Sequence, residues 1–238
     1  FSVGTNQVDL AAAGAKGIPV FNAPFSNTRS VAELTIAEII MLFRRIFPRS
    51  SAAHEGVWQK SAKDSHEIRG RTLGIVGYGN IGTPLANLAE LMGIKVIFHH
   101  QTEKLRHGHV TAAEDLRDLL RRSDVVSLHL PETPQTRGII GEQEIRAMKP
   151  GAFLINNARG TLVDIDALAR ALQDGHLRGA AIDVFPSEPS SNQEEFVSPL
   201  RGLDNVILTP HVGGSTEEAQ ERIGTEVGRK LIEYSDVG

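Results

Sequence analysis

The feature that most constrains the fold is an apolar run at residues 73–76 that leads directly into the sequence GYGNIG at 77–82. This G-x-G-x-x-G spacing predicts a strand, a tight turn and the start of a helix, because Gly77 permits the turn and Gly82 permits close packing of helix on strand. Gly79 lets backbone N–H groups approach phosphate oxygens, and the helix N-terminus adds partial positive charge. The segment therefore predicts a site for the pyrophosphate of a dinucleotide.

The rest of the chain alternates short apolar runs with helical patterns. Strand-like runs occur at 19–21, 72–76, 95–98, 124–130, 152–155, 179–182 and 206–208. Helical patterns occur at 30–47, 82–92, 112–121, 141–148, 164–174 and 216–234, and Pro48 is expected to end the first long helix. This alternation predicts an α/β fold of the Rossmann type, with a doubly wound parallel sheet and crossover helices.

Composition narrows the classes of partner. The net charge of -4 and the absence of basic runs disfavour nucleic-acid binding, and no apolar span is long enough to predict a membrane helix. The chain contains no cysteine, which excludes disulfides and thiolate metal ligands and is typical of a cytoplasmic protein. No metal site is predicted.

Polar residues follow several predicted strands, where ligands collect in a parallel sheet. Among them are Arg159, Glu188 and His211. A guanidinium can bind a substrate carboxylate in a bidentate fork, an imidazolium can protonate a carbonyl oxygen as hydride arrives, and a carboxylate can orient that imidazolium. Each residue alone would be interpreted as an ordinary surface group. Their joint placement instead predicts hydride transfer to a 2-keto acid.

Three segments resemble the signatures of the D-2-hydroxyacid dehydrogenase family: NNARG at 156–160, DVFPSEP at 183–189 and TPHVGGS at 209–215. Residues 4–10, 21–33 and 230–236 are similar to the phosphoglycerate dehydrogenases of that family. The resemblance implies an oxidoreductase that interconverts 3-phosphoglycerate and 3-phosphohydroxypyruvate with NAD, in serine biosynthesis. It implies that Arg159 contacts the substrate carboxylate and carbonyl. It also implies that His211 is the acid/base catalyst and that Glu188 pairs with His211.

The resemblance also implies a wider set of site residues and a division into lobes. It assigns substrate contacts to Gly4, Asn27 and Arg159, and cofactor contacts to Gly77, Gly79, Asn80, Ile81, Gly82, His100, Asn157, Ala158, Arg159, Asp183, His211, Val212, Gly213 and Gly214. The dinucleotide-binding domain is expected at 27–209, and residues 1–26 and 210–238 are expected to form part of a substrate domain. A homodimer or homotetramer is expected, with the helix at 31–47 and the segment around Trp58 suited to the contact.

The sequence departs from the family pattern at the end of the second strand. Family members that use NAD usually carry an acid there, hydrogen-bonded to the adenosine ribose, and this chain has His100. Losing the carboxylate removes the repulsion toward a 2'-phosphate, and Lys104, Arg106 and His107 lie just beyond. NAD is the expected cofactor, because no Arg directly follows the strand, and NADP is the alternative.

A second departure concerns the two ends of the chain. Family members of this type begin with a further segment that completes the substrate lobe, and they end in a small serine-binding regulatory domain. We therefore expect an incomplete second lobe, so that the 238-residue chain binds cofactor but lacks part of the substrate pocket and all serine feedback.

Two alternatives stay open at the level of sequence. One is a dehydrogenase or reductase for another 2-hydroxyacid, such as 2-hydroxyglutarate or glyoxylate. The other, from a different class, is a dinucleotide-sensing binding protein like the corepressors that resemble this family. Fold alone does not separate an enzyme from a binding protein, and the presence of Arg159, Glu188 and His211 favours the enzyme.

Overall fold

The chain forms one seven-stranded sheet in which every pair of neighbouring strands is parallel. The computed structural model describes residues 3–5, 8–102 and 108–237. The strands are β1 (Thr72–Val76), β2 (Lys95–His99), β3 (Thr111–Ala112), β4 (Val125–Leu128), β5 (Phe153–Asn156), β6 (Gly179–Ile182) and β7 (Val206–Leu208). Their order in the sheet is β3-β2-β1-β4-β5-β6-β7.

Helices cover both faces of this sheet. They are α1 (Leu10–Ala15), α2 (Thr28–Arg44), α3 (Ile46–His54), α4 (Gly82–Leu91), α5 (Leu116–Arg122), α6 (Glu142–Ala147), α7 (Ile165–Gln173) and α8 (Glu217–Val237), with a 3₁₀ turn at Gly160–Leu162. Apolar residues of α5, α6 and α7 pack on one face of the sheet, and those of α2 and α4 pack on the other. Because both faces are covered, the central strands are mostly apolar and almost completely buried, and the predicted doubly wound Rossmann-type fold is confirmed.

The chain divides into two compact units. The sheet lies in the larger unit, Ala32–His211, and the smaller unit takes in the chain up to Val31 and from Val212 onward. Within the smaller unit, Ile223 and Val227 of α8 pack against Ala23. Across the described ranges, no helix has the length and apolar character needed to cross a membrane.

The prediction that Pro48 would end the first long helix is wrong. Helix α2 ends at Arg44, and Arg45 adopts a left-handed conformation with φ +52°. A new helix, α3, then begins at Ile46 and contains Pro48 in its first turn. A proline is tolerated there because the first N–H groups of a helix have no acceptor within it.

Two further differences concern strands. The run at 19–21 is not a strand; Pro19 lacks an N–H to donate, and these residues belong to the smaller unit, outside the sheet. Conversely, β3 was not predicted, because it has two residues, both exposed, at the edge of the sheet. The segment around Trp58 has neither helix nor strand, and the Trp58 side chain is 84% exposed.

Candidate dinucleotide and active site

The glycine-rich turn between β1 and α4 has the geometry that its sequence predicts. Gly77 has φ +101°, and a β-carbon on it would lie 2.5 Å from the backbone oxygen of His129. Its N–H donates to the carbonyl oxygen of His99 at 2.9 Å. A side chain at this position would therefore be strained by the backbone and would also clash with the residues that follow β4.

The two other glycines of the motif have different surroundings. A β-carbon on Gly82 would lie 2.5 Å from the backbone oxygen of Gly77, so α4 packs directly against the end of β1. A β-carbon on Gly79 would meet nothing within 4 Å. Asn80 is exposed and Ile81 caps α4 without a side-chain hydrogen bond, so this end of the helix lies beside open space. The turn fits a diphosphate, which needs such room beside backbone N–H groups.

The turn lies where the strand order of the sheet reverses. Strand β1 pairs with β2 on one side and with β4 on the other, which is the position where dinucleotides bind in this architecture. His100 directly follows β2, and the register pairs His99 with Val76, so His100 lies at the same edge as the turn and is half-buried. Lys104, Arg106 and His107, which bear on the choice of cofactor, lie outside the described residues.

The loop that carries Arg159 follows β5 and is held by the side chain of Asn156. That side chain accepts from the N–H of Ala158 at 3.1 Å and donates to the carbonyl oxygen of Arg159 at 2.9 Å. A β-carbon on Gly160 would overlap the backbone of Phe185, so the loop lies directly against the segment after β6. Arg159 is half-buried, and its Nη1 donates to the oxygen of Ala158 at 2.6 Å.

Asn157, on the same loop, contacts two residues of α2 that the sequence did not single out. Its Nδ2 donates to Oε2 of Glu38 at 2.7 Å and to Oγ1 of Thr35 at 3.1 Å. Glu38 is fully buried, and burial raises the pKa of its carboxyl to about 8, with the nearby Asp183 adding to the increase and Asn157 opposing it. The sequence offered no signal for this contact, since a Glu within an apolar helix does not reveal its partner.

Asp183 follows β6 and connects two predicted site segments. Its Oδ1 accepts from Oγ1 of Thr209 at 2.6 Å, and its backbone oxygen accepts from the N–H of His211 at 2.8 Å. Its own N–H donates to the backbone oxygen of Asn156 at 3.1 Å. Because β5, β6 and β7 are neighbours in the sheet, Asp183 joins the ends of all three strands.

His211 and Glu188 form the pair that the sequence predicted. Nδ1 of His211 lies 2.8 Å from Oε2 of Glu188, and Oε1 of Glu188 accepts from the N–H of Phe185 at 3.0 Å. His211 has φ +55°, which is uncommon for a residue with a side chain. The His211 side chain is about half exposed, so the pair is accessible to a ligand.

His129 is a second residue whose contribution to the site was not predicted, although it follows a strand at the same edge. Its backbone oxygen leaves no room for a side chain at Gly77, and its Nε2 lies 2.9 Å from Oγ of Ser127. Burial lowers the pKa of its imidazole to about 4, so the ring is neutral near pH 7. The contact of His129 with the turn is made by its backbone oxygen, while its imidazole lies buried beside Ser127.

The remaining predicted residues lie in the smaller unit. Gly214 lies against Asn27, since a β-carbon on Gly214 would overlap the Asn27 amide. Gly4 is half-buried, Gly213 is buried and Val212 is exposed. Among the described residues, no group of three or more His, Asp or Glu side chains is arranged to hold a metal ion.

Comparison with known proteins agrees with this geometry. Residues 36–213 match the family model described as D-isomer specific 2-hydroxyacid dehydrogenase, NAD binding domain. Over all 238 residues the chain is 59% identical to the D-3-phosphoglycerate dehydrogenases of Haemophilus influenzae and Escherichia coli, and it spans 58% of the length of each.

Solved structures give the same result. The D-lactate dehydrogenase of Aquifex aeolicus, solved with NAD and lactic acid, superposes with a TM-score of 0.88 at 33% identity, over 99% of this chain and 74% of that one. The matched segment 36–213 contains the glycine-rich turn, the Arg159 loop and the His211–Glu188 pair. The chain belongs to the D-isomer specific 2-hydroxyacid dehydrogenase family, and residues 36–213 correspond to the NAD-binding domain of that family.

Proposed function

We propose that this chain is the cofactor-binding and catalytic portion of an NAD-dependent oxidoreductase that interconverts 3-phosphoglycerate and 3-phosphohydroxypyruvate. The observation that carries the proposal is the His211–Glu188 pair at 2.8 Å, located at the same sheet edge as the Arg159 loop. The choice of substrate rests on the 59% identity to relatives named D-3-phosphoglycerate dehydrogenase.

Each of the three residues has a separate task in this proposal. The guanidinium of Arg159 binds the substrate carboxylate. Glu188 accepts from Nδ1 of His211, which leaves Nε2 directed away from the carboxylate and able to exchange a proton with the substrate oxygen. When bound, the cofactor would supply hydride to C2 as NADH in reduction and would accept hydride from C2 as NAD⁺ in oxidation. In reduction, the proton from His211 goes to the carbonyl oxygen, and in oxidation the neutral imidazole takes the hydroxyl proton.

The proposed cofactor contacts follow the edge of the sheet. The turn at 77–82 binds the pyrophosphate, and His100 reaches the adenosine ribose. Asn157, Ala158 and Asp183 border the nicotinamide, and residues 212–214 complete the contacts. The strand order supports this arrangement, since the turn follows β1 near the middle of the sheet while Asp183 follows β6 farther along the same edge.

We also propose that the protein is cytoplasmic and assembles as a homodimer or homotetramer. The exposed Trp58 supports the second statement, because large aromatic side chains are enriched at the centres of protein interfaces. The proposed dinucleotide-binding domain is 27–209, which the larger compact unit, Ala32–His211, supports, and residues 1–26 and 210–238 are the proposed part of a substrate domain.

The test of the function is turnover by the protein with all segments that its gene encodes, with the 238-residue chain assayed beside it. NADH oxidation is followed with 3-phosphohydroxypyruvate, 2-oxoglutarate and glyoxylate. We expect 3-phosphohydroxypyruvate to give the highest kcat/KM. A higher value for either other keto acid would replace the substrate assignment. NADH binding without turnover of any keto acid would favour the dinucleotide-sensing alternative.

The cofactor choice is tested by His100→Asp. We expect the unmodified protein to bind NADH more tightly than NADPH. The substitution should weaken NADPH binding by about tenfold or more through repulsion of the 2'-phosphate, and leave NADH nearly unchanged. Quenching of protein fluorescence gives both dissociation constants. An unaltered ratio of the two constants would mean that the ribose does not lie beside residue 100.

A further inference from the structure

A buried polar cluster lies beneath the Arg159 loop, and the function proposed above gives no role to its two residues on α2, Glu38 and Thr35. The cluster consists of Glu38 and Thr35 on α2, Asn157 after β5 and Asp183 after β6. We propose that Glu38 is a positioning residue, which fixes Asn157 from α2 and thereby fixes the backbone that carries Arg159. The inference rests on the proposed function in one respect, namely that Arg159 binds the substrate carboxylate.

Hydrogen bonds hold the Arg159 loop both from α2 and from within the loop, as a positioning role for Glu38 requires. The amide nitrogen of Asn157 donates to Glu38 and to Thr35, so each of its two hydrogens has an acceptor on α2. Asn156 meanwhile holds Ala158 and Arg159 from within the loop. Arg159 is two residues from Asn157, so a shift of the Asn157 amide moves the start of the Arg159 side chain.

The cluster favours the uncharged form of Glu38. Its Oε1 is buried and has no hydrogen-bond partner among the described residues, so an ionised carboxylate would leave a charged oxygen uncompensated. Of the groups that face it, Asn157 and Thr35 are neutral, and Asp183 raises its pKa further. Because the pKa is raised to about 8 from an ordinary value of 4.5, the neutral form predominates at pH 7 and is lost as the pH rises through 8.

Three variants separate positioning from packing. Glu38→Gln keeps the acceptor and resembles the neutral acid, Glu38→Leu removes the acceptor, and Leu42→Ala removes buried apolar contacts on the same helix. At pH 7 we expect Glu38→Leu to raise the KM for the keto acid and lower kcat/KM by about 10- to 100-fold, as small misplacements of substrate-positioning groups do. Glu38→Gln should stay within about twofold. Glu38→Gln and Leu42→Ala should bind NADH nearly as the unmodified protein does.

The pH profile gives a readout that packing alone would not change. The ratio of kcat/KM for Glu38→Gln to that for the unmodified protein should rise between about pH 7 and 9, because a glutamine at position 38 does not ionise. Glu67→Gln, the same chemical change at an exposed position, should leave the ratio near one at every pH. Equal profiles for Glu38→Gln and the unmodified protein, or a Glu38→Gln variant as impaired as Glu38→Leu, would overturn the proposal.

Hydrogen exchange tests the same inference without turnover, so a failure of the proposed function does not obscure it. We expect backbone amides at 156–160 to exchange at least about tenfold faster in Glu38→Leu than in Glu38→Gln. Leu42→Ala should lower the melting temperature without that local change. Unchanged exchange at 156–160 in Glu38→Leu would refute the positioning role even if the protein turns over no keto acid.

Discussion

Replacing His211 by Asn is expected to lower kcat by about 10²- to 10⁴-fold, the usual cost of losing a general acid/base. Asn tolerates the left-handed conformation of residue 211, so the backbone need not change. It cannot transfer a proton, however, and the substrate oxygen would depend on water. The measurement is steady-state NADH oxidation with 3-phosphohydroxypyruvate.

The same variant should retain cofactor binding and stability. His211 is about half exposed, so its removal costs little packing, and the dissociation constant of NADH should change by less than about threefold. Glu188→Gln should have a smaller effect on kcat than His211→Asn, because a glutamine at position 188 can still orient Nδ1 through its amide oxygen but no longer stabilises the imidazolium. His54→Gln, at an exposed position on α3, is the matched control and should be fully active.

Full activity of His211→Asn would remove His211 from the mechanism. In that case the pair with Glu188 would be structural, and another donor would have to supply the proton. His129 is a poor candidate because burial lowers the pKa of its imidazole to about 4, so near pH 7 the ring is neutral and is too weak an acid to protonate the substrate. A loss of NADH binding equal to the loss of kcat would instead assign His211 to the cofactor.

The sheet was predictable because local and long-range signals agree in it. Strands β1, β2, β4, β5, β6 and β7 are each a short apolar run bounded by turn residues, and both faces of the sheet are covered by helices. The failures lie where that agreement is absent. The run at 19–21 is apolar but has no sheet to join, and β3 has two exposed residues and no pattern. At Pro48, the positive φ of Arg45 ended one helix and allowed another to begin.

The meeting of Glu188 and His211 was predictable from the sequence, and the contacts that hold the neighbouring Arg159 loop were not. Glu188 and His211 follow adjacent strands β6 and β7, so parallel topology alone brings them to one edge. The contact between Asn157 and Glu38 joins residues 119 positions apart and depends on how α2 lies on the sheet. The sequence shows Glu38 within an apolar helix, but it does not show which polar group is buried in contact with it.

The second large effect is expected at Gly77, which the turn needs for two independent reasons. An alanine at this position would adopt φ +101° at a cost and would place its β-carbon 2.5 Å from the oxygen of His129. Either the turn or the segment that follows β4 must shift. We expect Gly77→Ala to lower the melting temperature by several degrees and to weaken NADH binding by about 100-fold or more, because the phosphate-binding amides move with the turn.

Gly79→Ala is the matched variant, since a β-carbon there meets nothing within 4 Å and the backbone of Gly79 is not in the left-handed region. The folded protein should therefore accept an alanine at position 79 with an unchanged melting temperature. If the pyrophosphate approaches this backbone, the same methyl group must still weaken NADH binding, by about tenfold or more. Thermal unfolding of both variants shows what the fold requires of each glycine, and NADH titration shows what cofactor binding requires. A Gly79→Ala protein that binds NADH normally would place the pyrophosphate away from residue 79. The open space beside that glycine would then have no part in cofactor binding.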